Sequence, residues 1–391
     1  MHLTRTLATF DPPIPEAKTW VRETMYSGQG ALLDFSQAAP ATAPAREMRA
    51  FLADALLNRT DIHLYGAVLG HPDLRAALAE KTARLYNGIV RPEQIGITSG
   101  CNHAFAAAIA SLTGEGDEVI LPTPWYFNHK MWLDMTGVRA VPLLTGEDLL
   151  PSLDQARALI TPNTRAIALV SPNNPTGKEY PPELLEAFYL LARETGIYLI
   201  LDETYRDFRK SESPAHEIFA DPDWPEALIH LYSFSKAYHL TGHRVGALAT
   251  SSGRLHEIGK FIDTVTICPT GVGQAAALYG LQNLDSWLAS GRQEILNRGE
   301  AAKNVFEGLQ SKGWVLKSHG AYFAYVGHLD AIKHQNPARL LLDETGVLFL
   351  PAHMFRPEGE SGGATEFRVA FANAEVSGIE EMGRRLRDFS F

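Results

Sequence analysis

Short apolar runs alternate with longer amphipathic stretches through the middle of the chain. Runs that are apolar at every position, with helices between them, are typical of strands in a parallel sheet covered on both faces. The pattern predicts an α/β fold with a mostly parallel central sheet and helices on both faces. The predicted helices lie at 102–112, 128–137 and 183–196. The predicted strands are IGIT (95–98), EVILP (118–122), RAIALVSP (165–172), IYLILDE (197–203), ALIHLYSFS (227–235) and RVGALAT (244–250).

The pattern changes toward the C-terminus. Residues 281–310 predict one long helix with a polar face, and four short strand-like runs follow it: WVLK, AYFAYV, VLFLP and EFRVAFA. These elements predict a smaller α+β domain. We therefore expect a large domain at 46–285 and a small one formed by 1–45 and 286–391, because 391 residues exceed what one core usually organises.

Composition narrows the class of protein. The formal net charge of −10 disfavours nucleic-acid binding, which needs a basic surface for phosphates. Two cysteines, Cys101 and Cys268, form no disulfide framework and indicate a reducing compartment. The N-terminus lacks the apolar segment of a signal peptide, and no apolar run reaches the roughly 18–20 residues of a membrane helix. We expect a cytoplasmic protein with neither nucleic-acid nor membrane partners.

Unusual residues follow four of the predicted strands, where ligands bind in parallel α/β sheets. These segments are SGCN (99–102), NNPTG (173–177), DETY (202–205) and SFSKAYHLTGHRVG (233–246). A glycine turn before a helix can bind phosphate, and Arg244 can donate to a phosphate through two N–H groups. The carboxylate of Asp202 needs a positive partner if it is buried, and a buried Lys236 becomes a nucleophile toward carbonyls.

Each segment alone also fits a plain turn, a helix N-cap or a surface charge. Their joint occurrence at four strand ends, in this order, favours one shared site. The order and spacing of NNPTG, DETY, SFSK and GHRVG resembles the fold-type I pyridoxal phosphate (PLP) enzymes, in particular the class I and II aminotransferases. The resemblance extends over nearly the whole chain, and it implies PLP as the cofactor.

The resemblance implies catalytic roles for Lys236, Asp202 and Tyr205. Lys236 matches the Schiff-base lysine, which then acts as general base and acid. Asp202 matches the carboxylate that keeps the pyridine nitrogen protonated, so that the ring can accept electrons. Tyr205 and Asn174 match the groups that contact the O3′ oxygen of the cofactor.

Other cofactor contacts are implied in the same way. Ser233, Ser235 and Arg244 match phosphate ligands, as does the turn formed by Gly100, Cys101 and Asn102. Cys101 stands where many relatives have alanine, serine or threonine.

One aromatic residue of TPWYFNH (123–129) matches the ring that stacks on the cofactor. Tyr126 fits this role better than Trp125 by its distance from Pro124. Tyr65 matches a tyrosine that reaches the phosphate of a neighbouring subunit, which implies a homodimer with shared active sites.

The resemblance also implies substrate contacts. Arg368, in EFRVAFAN, matches the arginine that binds the α-carboxylate of the substrate, near Asn174. Ala38 stands where relatives usually carry a glycine near that carboxylate. The segment 263–271 contains no arginine, which disfavours one known design for binding a second carboxylate.

Two weaker signals are set aside. GVGQAA (271–276) resembles a dinucleotide loop but lacks its acidic partner, so we do not expect NAD. His239 and His243 have the four-residue spacing of metal ligands on a helix, but Gly242 lies between them, so we do not expect a metal.

The function predicted is transfer of an amino group from an α-amino acid to a 2-oxo acid by a ping-pong mechanism. The alternative is a β-eliminating C–S lyase on the same scaffold. A PLP-binding regulatory module would need an additional nucleic-acid-binding domain, for which the chain has no spare length.

Overall fold

The computed structural model describes residues 4–28 and 30–391. Its strands are β1 (Leu33–Asp34), β2 (Ile95–Thr98), β3 (Glu118–Thr123), β4 (Arg139–Leu144), β5 (Thr164–Val170), β6 (Tyr198–Asp202), β7 (Leu228–Ser233), β8 (Gly246–Ala249), β9 (Trp314–Gly320), β10 (Phe323–His328), β11 (Val347–Leu348), β12 (Leu350–Pro351) and β13 (Glu366–Ala370). Its helices are α1 (Pro13–Glu23), α2 (Arg46–Asn58), α3 (Pro72–Leu85), α4 (Cys101–Leu112), α5 (Phe127–Thr136), α6 (Leu153–Leu159), α7 (Pro182–Thr195), α8 (Phe234–Ala237), α9 (Ser252–Thr266), α10 (Gly271–Asn283), α11 (Asp285–Glu307), α12 (Pro337–Thr345) and α13 (Val376–Arg387).

The central sheet has the strand order β2-β8-β7-β6-β5-β3-β4. The five strands from β7 to β4 are parallel, which confirms the mostly parallel sheet. RVGALAT contains a strand as predicted, but this strand, β8, runs antiparallel to both of its neighbours. The segment between β7 and β8 contains only the one-turn helix α8 and a 3₁₀ turn, and it lacks the crossover helix that usually joins parallel strands.

Strand β4 was not predicted, and its position in the sheet explains why. It lies at an edge, so its residues alternate between exposed and buried and do not form an apolar run.

The long helix predicted at 281–310 is also wrong in detail. Leu284, which is buried with φ −116° and ψ 26°, separates α10 from α11. Helix α11 begins at Asp285, whose carboxylate pairs with Lys81 at 2.7 Å.

The apolar residues form three large clusters. In two of them, helices α3, α4, α7, α9 and α10 cover the central sheet with buried aliphatic and aromatic side chains. The third cluster joins α1 and β1 to α11 and the antiparallel β12-β13-β10-β9 sheet, with Trp20, Phe35 and Trp314 among its buried residues. The boundaries proposed for the two domains stay a prediction.

The described helices include none that is both long enough and apolar enough to cross a membrane.

Candidate active site

The predicted strand-end residues surround one cavity of about 320 Å³ at the carboxyl ends of β5, β6 and β7. A cavity of this size is typical of a small-molecule site. Its wall contains one carboxylate and three cationic side chains, and the remaining lining residues are neutral. The lining residues are Pro12, Ile14, Pro15, Gln37, Ala38, Cys101, Asn102, Tyr126, Phe127, Asn128, Val170, Asn174, Asp202, Thr204, Tyr205, Ser233, Ser235, Lys236, Arg244 and Arg368.

Two glycines allow the backbone at the start of α4 to approach β8 and Arg244. Gly100 has φ 92°, a conformation that favours glycine, and a Cβ there would lie 2.3 Å from an Arg244 nitrogen. A Cβ on Gly246 would lie 2.6–2.7 Å from the backbone of Gly100 and Cys101. The exposed amide groups at the start of α4 and the guanidinium of Arg244 therefore border the same space. Among the described residues, no carboxylate forms a salt bridge with Arg244.

Asp202, the last residue of β6, is 4% exposed. His129 Nε2 lies 3.4 Å from its Oδ2 atom, the Cys101 thiol lies 3.6 Å from the same atom, and the Thr204 amide donates to Oδ1 at 2.9 Å. Burial would raise the pKa of Asp202, but His129 and the hydrogen bonds from Thr204 outweigh it and hold the pKa below its ordinary value. The carboxylate is thus ionised inside the cavity.

Lys236 lies in the one-turn helix α8, which directly follows β7. Its Nζ donates to the carbonyl oxygen of Ala38 at 2.5 Å. Burial and the positive charges of Arg368 and Arg244 lower the pKa of Lys236 to about 8. Burial similarly raises the pKa of the Cys101 thiol, so the thiol is protonated and can donate to Asp202.

Arg368, on β13, is 2% exposed. It donates to Asn174 Oδ1 at 3.0 Å and to the Ser36 carbonyl oxygen, while its Nε has no partner. Burial lowers the pKa of Arg368 to about 10. No carboxylate among the described residues forms a salt bridge with it, although a buried guanidinium usually has one.

A buried polar cluster holds the DETY segment on the side away from the cavity. Glu203 Oε2 accepts from the Tyr86 hydroxyl and lies 2.8 Å from His230 Nε2 and 3.3 Å from His216 Nε2. Arg206 lies over the Tyr232 ring at 3.8 Å. The segment that carries Asp202 is therefore fixed by polar contacts that face away from the cavity.

The structure brings together nearly all of the predicted site residues. Those that line the cavity are Ala38, Cys101, Asn102, Tyr126, Asn174, Asp202, Tyr205, Ser233, Ser235, Lys236, Arg244 and Arg368, and Gly100 lies directly beside Arg244. Trp125 does not line the cavity, whereas Tyr126 does. Tyr65 does not line it either and is 80% exposed. The roles given to these residues remain predictions.

The sequence reasoning missed several residues of the site. His129 carried a signal, because it stands in TPWYFNH three residues after Tyr126 and shares a helix face with it. Ser36 and Gln37 stand next to Ala38, in a segment that the resemblance already brings near the substrate carboxylate, whereas Ile14 carried no signal.

Comparisons with known proteins agree with this geometry. The sequence model of the family described as "Aminotransferase class I and II" matches residues 28–386. The chain is 29% identical over 338 residues to the aromatic aminotransferase ISS1 of Arabidopsis thaliana, covering 82% of this chain and 83% of that protein. It is 28% identical to an aspartate aminotransferase of Pyrococcus abyssi, covering 83% and 84% of the two chains.

Solved structures show the same fold. The aspartate aminotransferase of Thermus thermophilus with maleate superposes with a TM-score of 0.86 at 24% identity, over 99% of both chains. An aromatic aminotransferase of Pyrococcus horikoshii gives a TM-score of 0.83 at 24% identity, over 95% and 97% of the chains.

The fold and the cavity define a PLP-dependent enzyme of the aspartate aminotransferase-like fold. The chain belongs to the class I and II aminotransferases, and it is a PLP-dependent aminotransferase.

The residues present fit the cofactor. An ionised, buried Asp202 without a lysine or arginine partner fits a protonated ring nitrogen. Arg244, which has no carboxylate partner among the described residues, fits a phosphate beside the glycine turn. Lys236 has a lowered pKa, as an amine that attacks an aldehyde requires.

Gly246→Ala tests the cradle at the start of α4. The added methyl group would push the Gly100 and Cys101 backbone away from β8, so we expect PLP to bind at least tenfold more weakly. The dissociation constant can be measured by adding PLP to the cofactor-free protein and following its absorbance. Gly242→Ala, in the same loop, is the matched control because nothing lies within 4 Å of its Cβ. Equal affinity in the two variants would contradict the cradle.

Proposed function

We propose that this aminotransferase binds α-amino acids and 2-oxo acids through their α-carboxylate on Arg368, and that Lys236 moves the proton at Cα. The observation that carries the proposal is the buried guanidinium of Arg368, which has an unpartnered Nε and no carboxylate partner among the described residues. An α-carboxylate would supply the missing negative charge and accept hydrogen bonds from two N–H groups. Lys236 and Arg368 line the same cavity, so a substrate held by Arg368 presents its Cα on the side of Lys236.

Bound PLP supplies an acceptor for the electrons released when a proton leaves the substrate Cα. Asp202 would hold the proton on the ring nitrogen of the cofactor, since its own pKa is lowered. Tyr205 and Asn174 line the same cavity and would contact the cofactor oxygen O3′. Ser233, Ser235, Arg244 and the start of α4 would bind the phosphate.

Lys236 is suited to move a proton near neutral pH. An amine with an ordinary pKa near 10.5 is almost fully protonated there, whereas a pKa of about 8 leaves a useful fraction as free base. Two of the groups that lower this pKa, Arg368 and Arg244, are the groups that we assign to the two anions. Binding of the substrate carboxylate to Arg368 would therefore raise the pKa of Lys236 and favour its uptake of the proton from Cα.

Transfer of a labelled amino group tests the function directly. The holoenzyme is mixed with a ¹⁵N-labelled amino acid and the 2-oxo acid of a different amino acid, and the products are analysed by mass spectrometry. We expect ¹⁵N in the newly formed amino acid. Release of pyruvate and ammonia from cysteine or cystathionine without an acceptor would instead indicate the β-eliminating lyase. The named relatives are aminotransferases and give that alternative no support.

Arg368→Gln tests the carboxylate contact. Loss of the charge should lower kcat/KM for amino acids by about 10²-fold, which corresponds to about 2.7 kcal/mol of binding in the transition state. The control is a primary amine that lacks a carboxylate, for which the variant and the parent should differ by less than about threefold. A similar loss for both substrates would mean that Arg368 only supports the fold around Asn174.

We further propose a cytoplasmic homodimer with shared active sites. Exposed apolar side chains at Leu57, Leu64 and Tyr65 lie near the C-terminal end of α2, and Ile267 is also exposed at the end of α9. Glycine contacts place these two regions together, because a Cβ on Gly271 would lie 2.3 Å from the Ile62 carbonyl oxygen. A surface of this kind supports contact with a second copy.

Tyr65→Phe tests the shared site. If Tyr65 reaches the phosphate in the partner subunit, loss of its hydroxyl should weaken PLP binding about three- to tenfold while leaving the mass of the dimer unchanged. The mass is measured by light scattering during gel filtration. A monomeric parent protein, or a variant with unchanged PLP affinity, would contradict the proposal.

A further inference from the structure

The outer wall of the cavity carries no charge. It is formed by Pro12, Ile14 and Pro15 from the start of α1, together with Phe127 and Asn128 from the start of α5. Ile14 packs against the apolar cluster that contains the buried Phe127. A substrate group that reaches this part of the wall therefore meets mostly aliphatic and aromatic surface.

The start of a helix normally attracts anions, because its first N–H groups have no partners within the helix. In α1 this property is lost. Pro13 and Pro15 have no N–H group, and the Glu16 amide is already bound to the Pro12 carbonyl oxygen at 3.2 Å. Only the Ile14 amide remains as a donor within the first three residues of the helix.

The charged residues that flank this wall in the sequence do not offer a free cation to a second substrate carboxylate. Asp11 and Glu16 flank the segment 12–15, and burial and the charge of Asp11 raise the pKa of Glu16. Lys130, two residues after Asn128, is held by Asp134 at 2.5 Å. The three cations that do line the cavity are Lys236, Arg244 and Arg368, and each already has a proposed role.

We propose that the segment Pro12–Pro15 is the surface that contacts the substrate side chain, and that it selects neutral, apolar amino acids over dicarboxylic ones, with Ile14 as the residue that determines specificity. The proposal rests on the proposed function, since it assumes the α-carboxylate on Arg368. Burying an unpaired carboxylate against prolines and Ile14 costs free energy that apolar contact instead gains.

The first experiment compares donors on the parent holoenzyme. We expect kcat/KM for leucine, methionine and phenylalanine to exceed that for aspartate and glutamate by at least tenfold with the same 2-oxo acid acceptor. A preference for aspartate or glutamate would overturn the inference while leaving the aminotransferase function intact. A lack of activity with every amino donor tested would instead contradict the proposed function.

Two substitutions at Ile14 locate the effect. Ile14→Ala removes apolar contact, so kcat/KM for leucine and phenylalanine should fall about tenfold while that for alanine changes little. Ile14→Lys places a cation on the wall, so the ratio of kcat/KM for aspartate to that for leucine should rise at least tenfold. Thr19→Lys adds the same charge farther along α1, outside the cavity lining, and should leave the ratio unchanged.

Binding of unreactive acids provides a second readout. Calorimetry on the parent holoenzyme should give tighter binding of 3-phenylpropionate than of succinate, with the order weakened or reversed in Ile14→Lys. Equal effects of the Ile14 and Thr19 lysine variants would show a long-range charge effect and would contradict a contact at Ile14.

Discussion

An excess of positive charge governs this site. Lys236, Arg244 and Arg368 share one cavity with a single carboxylate, that of Asp202. Burial lowers the pKa of both Lys236 and Arg368, and the positive charges of Arg368 and Arg244 lower that of Lys236 further. The charges of the cavity therefore fit two anions from outside the chain. A phosphate and an α-carboxylate, which are the anions of an amino acid bound beside PLP, would restore the balance.

The fold keeps these charges in place by holding the site from several directions. The parallel strands bring Asp202 and the end of β7 to the same edge of the central sheet, and the cluster around Glu203 fixes the loop that follows β6. Arg368 comes from the other sheet and crosses to Asn174 and Ser36. Its position therefore depends on the loop after β5 and on the segment after β1, which both border this end of the cavity.

Much of this arrangement could be predicted from the sequence because its signals are local. Asp202 ends the apolar strand β6 and Lys236 follows β7 by three residues, and a parallel sheet brings such positions to one edge. Strand β4 and the orientation of β8 were missed because they depend on neighbours in the sheet, which an apolar run does not reveal. The wall at Ile14 could not be predicted, because Ile14 packs against the apolar cluster of Phe127 only in the folded chain, and the two segments are distant in sequence.

The central claim is that Lys236 is the residue to which the cofactor is bonded. The most direct measurement is borohydride reduction of the purified holoenzyme, followed by proteolysis and peptide mass spectrometry. The account predicts the mass of reduced phosphopyridoxyl on the peptide that contains Lys236 and on no other. The same mass on a different lysine, or a protein that retains no PLP, would contradict it.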